Sequence, residues 1–87
     1  MDKDTLVFDS LFVTIRNRQK IVFDDEVKGL TSVNERGLFD ILPQHESFIC
    51  MIKDKLVLHK KDGQHEDIQI VKGILRGYKN NVQIYIV

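Results

Sequence analysis

The stretch that decides the fold is residues 36–45, which read Arg36-Gly37-Leu38-Phe39-Asp40-Ile41-Leu42-Pro43-Gln44-His45. It sets an apolar run between a glycine and the only proline of the chain, and it closes on a histidine. Glycine reaches backbone angles that other residues avoid, and proline ends strand pairing because it has no N–H to donate. The stretch therefore predicts a short β-strand that begins at a turn and stops at a polar corner on the surface.

Alternation of apolar and polar residues with a period of two dominates the rest of the chain. It is clearest in five runs, at residues 11–16, 27–33, 56–58, 68–70 and 82–86. β-branched residues crowd these runs, as a pleated, half-buried surface favours. No window keeps the apolar spacing of an amphipathic helix, so essentially no helix is expected.

Turn-forming residues separate the runs at short intervals. The predicted turns are Asp24-Asp25, Glu35-Arg36-Gly37, Lys53-Asp54, Lys61-Asp62-Gly63 and Lys79-Asn80-Asn81. Gly73 and Gly77 interrupt a further apolar run, where glycine predicts a bulge or a bend between sheets. This pattern predicts an all-β fold, a two-sheet β-sandwich of roughly eight or more short, mostly antiparallel strands. Residues 1–87 are expected to form one domain, with residues 1–9 as a loosely ordered lead-in.

Composition argues against several classes of function. Thirteen basic residues balance thirteen acidic ones, so no field attracts nucleic acid. The single cysteine, Cys50, lies in an apolar run and has no partner for an internal disulfide, which fits a reducing compartment. No leader and no apolar segment of about 20 residues is present. The sequence therefore predicts a soluble intracellular domain that does not insert into the membrane.

The polar residues of the types used in catalysis do not form a catalytic pattern in the sequence. His59 and His65 flank the Asp62-Gly63 turn with Glu66 nearby, but a zinc site needs three or four ligands, and a solvated turn explains them better. The acidic run at residues 24–26 is typical of a solvated tip. Ser47 follows His45 by two positions without an acidic partner or a glycine elbow. No enzyme activity, metal or cofactor is predicted, although a small metal-dependent enzyme that uses His59 and His65 stays as an alternative.

The order of the motifs resembles the N-terminal β-sandwich domain of the epsilon subunit of F-type ATP synthases, in the delta/epsilon family. The corner at residues 37–45 is similar to the family's G-x-F/L-G-I-L/Y-P-G-H. The flanking segments that resemble the family in order are residues 11–15, 21–23, 25–27, 48–49, 71–75 and 81–84. The similarity extends over nearly the whole chain from Leu11 to Val87. The sequence departs from the family pattern at Leu38, Asp40, Gln44 and Lys72, and at Gln19 if Asn17 aligns with the serine or threonine of the family's first turn.

The resemblance implies a non-catalytic subunit of the central rotor stalk. Such a subunit docks on the gamma subunit and on the c-ring, at the cytoplasmic face of the inner or plasma membrane, and helps couple ion translocation to ATP synthesis. The residues that it implies for partner contact are Asn17, Leu38, Phe39, Asp40, Gln44 and His45. His45 is equally well interpreted as a corner residue that donates to a backbone carbonyl. Because the sequence ends after the last predicted strand, the family's two-helix domain and its nucleotide site are not expected. The alternative from another class is a free-standing adaptor that reuses the fold to bind a different protein.

Overall fold

Seven β-strands form in the part of the chain that the structure describes, residues 10–43 and 47–87 of a computed structural model. Within those ranges no helix occurs, as predicted. The strands are β1 (Leu11–Arg16), β2 (Ile21–Val27), β3 (Gly29–Asn34), β4 (Gly37–Ile41), β5 (Phe48–His59), β6 (His65–Tyr78) and β7 (Asn81–Ile86). The lead-in predicted for residues 1–9, and Gln44 and His45 of the corner, lie outside the described residues.

The strands form one hydrogen-bonded series in the order β2-β1-β7-β6-β5-β3-β4. Strand β1 pairs with β7 in parallel, with Val13 opposite Val82 and Ile15 opposite Ile84. The other described pairs are antiparallel. The first and last strands of the chain therefore lie side by side at the centre of one layer.

The two long strands β5 and β6 carry the chain from one layer of the sandwich to the other. Their pairing shifts between Lys53 and Lys55, and Asp54 takes a φ of 72° there. Before this bulge β5 pairs with the half of β6 that continues to β7, whereas after it β5 pairs with β3. A bulge bends a strand and increases its twist. The series thus folds into two layers, one with β2, β1 and β7 and the other with β3 and β4.

Aliphatic side chains from both layers fill a single core. Its fully buried members are Leu11, Val13, Ile15, Val27, Leu30, Ile41, Ile52, Leu56, Leu58, Leu75, Val82 and Ile84. Burying one such side chain contributes about 1.5–3 kcal/mol relative to leaving it exposed. Ser32 is buried among them, and its hydroxyl donates to the carbonyl of Lys55 at 2.8 Å. This bond removes the penalty that an unpaired buried hydroxyl would carry.

The strand predicted at the corner is confirmed. Strand β4 begins at Gly37, whose φ of 116° suits glycine, and it ends at Ile41 before Pro43. The side-chain oxygen of Asn34 accepts from the amide of Arg36 at 2.8 Å and closes the turn that precedes it. The glycine turn and the strand therefore form where the local sequence placed them.

Three predicted boundaries are wrong. Asp24 and Asp25 do not form a turn but lie inside β2, opposite Thr14 and Val13. The hydroxyl of Thr14 donates to Asp24 at 3.0 Å, and an edge strand leaves both carboxylates in water. The break falls at Lys28, so residues 27–33 are not one strand.

The predicted Lys53-Asp54 turn is a bulge within a continuous strand, and this difference reduces the strand count. Because β5 and β6 run on for 12 and 14 residues, the described chain has seven strands rather than eight or more. The irregularity predicted at Gly73 and Gly77 lies on the same strand but earlier, between Gln69 and Lys72, where β6 has one more residue than β5. Both glycines permit close packing: a Cβ on Gly73 would lie 2.7 Å from the carbonyl oxygen of Tyr85.

Candidate docking surface

Exposed apolar side chains form a continuous patch on the outer face of the first layer. We call Ile49, Met51, Ile74 and Tyr85 the outer patch. Met51 lies opposite Ile74 on the neighbouring strand, and Ile74 lies opposite Tyr85 on the next. Ile49 is 66% exposed and Met51 61%. Apolar residues on neighbouring strands that all face solvent mark a surface that another molecule covers.

Polar and basic side chains surround this patch. Arg16 follows Tyr85 in the same cross-strand row, and Arg76 lies opposite Ile49 in the next row. Together with Thr14 and Gln83 they line a shallow depression of about 260 Å³ that also contains Ile49 and Ile74. An apolar centre with arginine and polar groups at its rim has the composition of a protein-binding surface.

The first half of β5 presents an open, uncharged strand edge beside the outer patch. Residues 49–52 pair with β6 on one side, whereas β3 joins β5 only from Lys53 onward, so no described strand occupies the other side. The segment reads Ile-Cys-Met-Ile and carries no charge. Proteins usually protect such edges with charged residues, because open backbone groups accept foreign strands. The other end of the sheet is protected in this way, since β2 carries the acidic residues 24–26.

The turn between β3 and β4 lies next to this open edge. Glu35 and Arg36 line a depression of about 310 Å³ together with Ile49, Cys50 and Met51. Both charged side chains are exposed. The turn between β3 and β4 therefore places one negative and one positive side chain beside the apolar edge of β5.

Cys50 lies half-buried on the same strand. Burial raises the pKa of the Cys50 thiol, because the apolar surroundings disfavour the thiolate. A protonated thiol is a poor nucleophile. The residue therefore packs against the core, in agreement with its interpretation as a small hydrophobe.

The structure separates the residues that the resemblance implies for partner contact. On β4, Leu38 is 67% exposed, Phe39 packs against the core, and Asp40 accepts from the Thr31 hydroxyl at 2.6 Å. Asn17 closes the turn between β1 and β2, where its side-chain oxygen accepts from the amides of Gln19 and Lys20 at 2.8 and 2.9 Å.

Asn17 lies at the far end of β1 from the corner. The beginning of that strand, Leu11, lies beside Ile41 of the corner and beside Phe48, which follows the corner in sequence. Asn17 follows the last residue of the strand, so it lies about 20 Å from Leu11, six residues at roughly 3.3 Å each. Asn17 is therefore separated from the Ile41 end of the corner by the length of β1.

The sequence did contain one sign of the outer patch. Apolar residues fill both the inward and the outward positions at 48–52, a pattern typical of strands that are covered on both faces. Ile74 and Tyr85 lie in alternating runs, and each taken alone resembles an outward-facing residue of any half-buried strand. Only the pairing of β5, β6 and β7 brings these side chains together.

The two histidines of the β5–β6 hairpin meet as a pair. Their Nδ1 atoms are 3.0 Å apart, and Nε2 of His59 is 2.7 Å from the hydroxyl of Thr31. In residues 10–43 and 47–87 no three histidine, cysteine or acidic side chains converge as metal ligands. The same ranges contain no helix with the length and apolar character needed to cross a bilayer.

Residues 10–86 match the family described as the ATP synthase delta/epsilon chain, beta-sandwich domain. The chain belongs to this family. The resemblance read from the motifs is therefore confirmed, as is the all-β sandwich fold.

Curated members of the delta/epsilon family align with part of their length. The ATP synthase epsilon chain of a Nitratiruptor species is 32% identical over 63 residues, which cover 71% of this chain and 49% of that one. The ATP synthase epsilon chain of a Sulfurovum species is 30% identical over 57 residues, which cover 64% and 44%. The chain thus spans about half the length of the curated relatives it matches.

Solved structures share the fold at low sequence identity. A chain of the Euglena gracilis mitochondrial ATP synthase, in a structure of OSCP, F1 and the c-ring, superposes with a TM-score of 0.85 at 17% identity, over 91% of this chain and 51% of that one. A chain of the Tetrahymena thermophila mitochondrial ATP synthase, in a structure of the central stalk and c-ring, gives 0.69 at 14% identity, over 88% and 63%. At these identities the likeness shows the delta/epsilon sandwich fold.

Proposed function

We propose that this domain is a non-catalytic part of the central stalk of an F-type ATP synthase. It docks on the gamma subunit and on the c-ring and helps to couple ion translocation to ATP synthesis. Membership of the delta/epsilon family supports the proposal. The observation that carries it is the outer patch with its open strand edge, since this surface suits a permanent partner.

The outer patch and residues 49–52 form the gamma-binding surface in this proposal. A stable interface has an apolar centre, and the exposed side chains of Ile49, Met51 and Ile74 supply one. The open edge beside them offers backbone N–H and C=O groups to a partner strand or loop. Arg16 and Arg76 then lie at the rim, where acidic groups of the partner would pair with them.

The turn before β4 is the proposed contact with the c-ring. Glu35, Arg36 and Leu38 are exposed there, and the two charged groups suit the polar loops of a membrane ring. Leu38 occupies the position after Gly37 that the family uses in the loop facing the ring. The corner residues Asp40, Gln44 and His45 extend this contact in the proposal. The complex is peripheral, at the cytoplasmic face of the membrane.

A layered β-sheet suits this mechanical role. Close-packed side chains deform little, and both layers share β5 and β6 as continuous strands. A load applied at the turn before β4 therefore reaches the outer patch through backbone that is hydrogen-bonded on the way. No group of the domain needs to react for this purpose.

Co-purification tests the proposal. The chain is expressed together with the gamma subunit of the same organism, and a tag on gamma is used for capture. The proposed function requires stoichiometric recovery of the chain after washing at moderate salt. A folded chain that is recovered neither with gamma nor with isolated c-ring would contradict the proposed function.

An adaptor for another protein is the second candidate, and the same open edge is the observation that favours it. An uncharged strand edge accepts backbone from any partner that fits. Capture of a different protein from the native host in stoichiometric amount, with no gamma, would support the adaptor.

A further inference from the structure

His59 and His65 form a side-chain pair that the stalk function leaves unused. They lie directly opposite each other near the turn that joins β5 and β6. Their Nδ1 atoms are 3.0 Å apart, and the ring planes cross at 89°. Two imidazole nitrogens thus meet at one point on the outer face of the second layer.

Thr31 and Asp40 determine which ring nitrogen of His59 carries the proton and which carries the lone pair. The hydroxyl of Thr31 donates its single proton to Asp40 at 2.6 Å. Its 2.7 Å contact with Nε2 of His59 must therefore use a proton from the ring. A neutral His59 consequently carries its lone pair on Nδ1, which faces His65.

This arrangement is the one that holds metal-binding histidines in place. A ligating imidazole usually donates its other N–H to a carboxylate or to a polar group that is itself hydrogen-bonded. Here Thr31 takes that proton and Asp40 supports Thr31. The tautomer and the ring orientation of His59 are set before any ion binds.

The separation of the two nitrogens selects the class of metal. Bonds of about 2.0–2.1 Å from a metal to both Nδ1 atoms would enclose an angle of about 91–97° at the observed 3.0 Å. That angle suits neighbouring positions of a square-planar or tetragonal site, the geometry of Cu²⁺ and Ni²⁺. Tetrahedral Zn²⁺ requires a wider angle, so the pair would have to open.

The charged groups around the histidine pair favour the binding of a cation. Asp40 lies opposite Thr31 and Asp67 opposite Val57, which places both carboxylates on the same face as the histidine pair. Two nearby ammonium groups form ion pairs, since Lys60 binds Glu66 at 2.9 Å and Lys61 binds Glu26 at 2.6 Å. The Glu66 carboxylate that accepts from Lys60 also raises the pKa of that ammonium.

We propose that His59 and His65 chelate a first-row divalent ion, Cu²⁺ or Ni²⁺, through their Nδ1 atoms. The proton that His65 shares with His59 moves to its own Nε2 when the ion binds, so both rings remain neutral. The described residues provide no third ligand, so water completes the coordination. Neither ligand belongs to the surfaces proposed for gamma or the c-ring, and the site lies on the second layer, away from the outer patch.

Calorimetry on the full chain, purified without a histidine tag, tests the site. Titration with NiCl₂ should give one binding event, and Cu²⁺ should give an EPR spectrum with coupling to two nitrogens. His65→Gln should lower the affinity at least tenfold, and because His65 is exposed, this variant should fold. His59→Gln should do the same, whereas Gln69→Ala, on the same strand and face as His65, should bind as the natural sequence does.

Two results would overturn the proposal. One is unchanged affinity in a folded His65→Gln variant, and the other is a copper spectrum without coupling to two nitrogens. Neither result bears on gamma binding, so the stalk function is tested separately.

Discussion

Met51 and Ile74 lie directly opposite each other on β5 and β6, and both side chains face solvent. Such an exposed cross-strand pair contributes only about 0.2–1 kcal/mol to the stability of the isolated domain. Its neighbours Ile49 and Tyr85 extend it over three strands, and residues 49–52 add an open, uncharged edge. These features are the basis for the proposal that this face is the interface with gamma.

Core packing gives the first prediction. Leu75→Ala should lower the free energy of unfolding by about 2–5 kcal/mol, because it leaves a cavity between the layers. Urea denaturation measures this change. Leu38→Ala, at a 67% exposed position, should stay within about 0.5 kcal/mol. Equal losses in the two variants would show that Leu75 does not lie in the core.

The glycines of β6 give the second prediction. Gly73→Ala should destabilise more than Gly77→Ala, with losses of order 1–3 kcal/mol. A Cβ on Gly73 would lie 2.7 Å from the backbone oxygen of Tyr85, whereas on Gly77 it would lie 2.6 Å from the ring of Phe48, a side chain that can turn. Thermal unfolding of both variants gives the order. The reverse order would contradict the packing of β6 against β7.

Cys50 gives a prediction on pH. Because burial raises the pKa of its thiol, the thiolate fraction at neutral pH is smaller than that of an exposed cysteine. The rate of alkylation by iodoacetamide should be low at pH 7.5 and should rise up to and beyond pH 9. A small peptide that contains cysteine is the control. An apparent pKa below that of the peptide would refute the half-buried placement.

The corner gives the fourth prediction. Asp40→Ala and His45→Ala should weaken gamma or c-ring binding more than they lower the melting temperature. Asp40 makes its hydrogen bond at the surface, so its loss should reduce stability by only about 0.5–1.5 kcal/mol. Asp67→Ala is the matched control, since Asp67 is also exposed on the outer face of the second layer. A steep fall in melting temperature with unchanged binding of the folded fraction would make the corner structural.

Features of the fold that depend on a few neighbouring residues could be predicted from the sequence. Gly37 and Pro43 bracket β4 because one permits a positive φ and the other ends pairing. The alternation at Leu11, Val13 and Ile15 identified the inward face of β1, since one face of that strand is buried completely.

Pairing between distant segments could not be read in the same way. Asp24 and Asp25 look like a turn, yet they belong to an edge strand where both can remain in water. Lys53 and Asp54 look like another turn, but β5 continues through them because β6 pairs with it on both sides of the bulge. The outer patch depends on the same pairings, so it was not predicted.

Binding of gamma by outer-patch variants tests the central claim most directly. Calorimetry of the isolated gamma subunit with Met51→Lys and Ile74→Lys should show affinity lowered at least tenfold, with melting temperatures close to that of the natural sequence. Val71→Lys is the control, because Val71 is apolar and 76% exposed but lies outside the patch, and it should bind normally. If the patch variants bind gamma as tightly as the Val71→Lys control, the outer patch is not the docking surface.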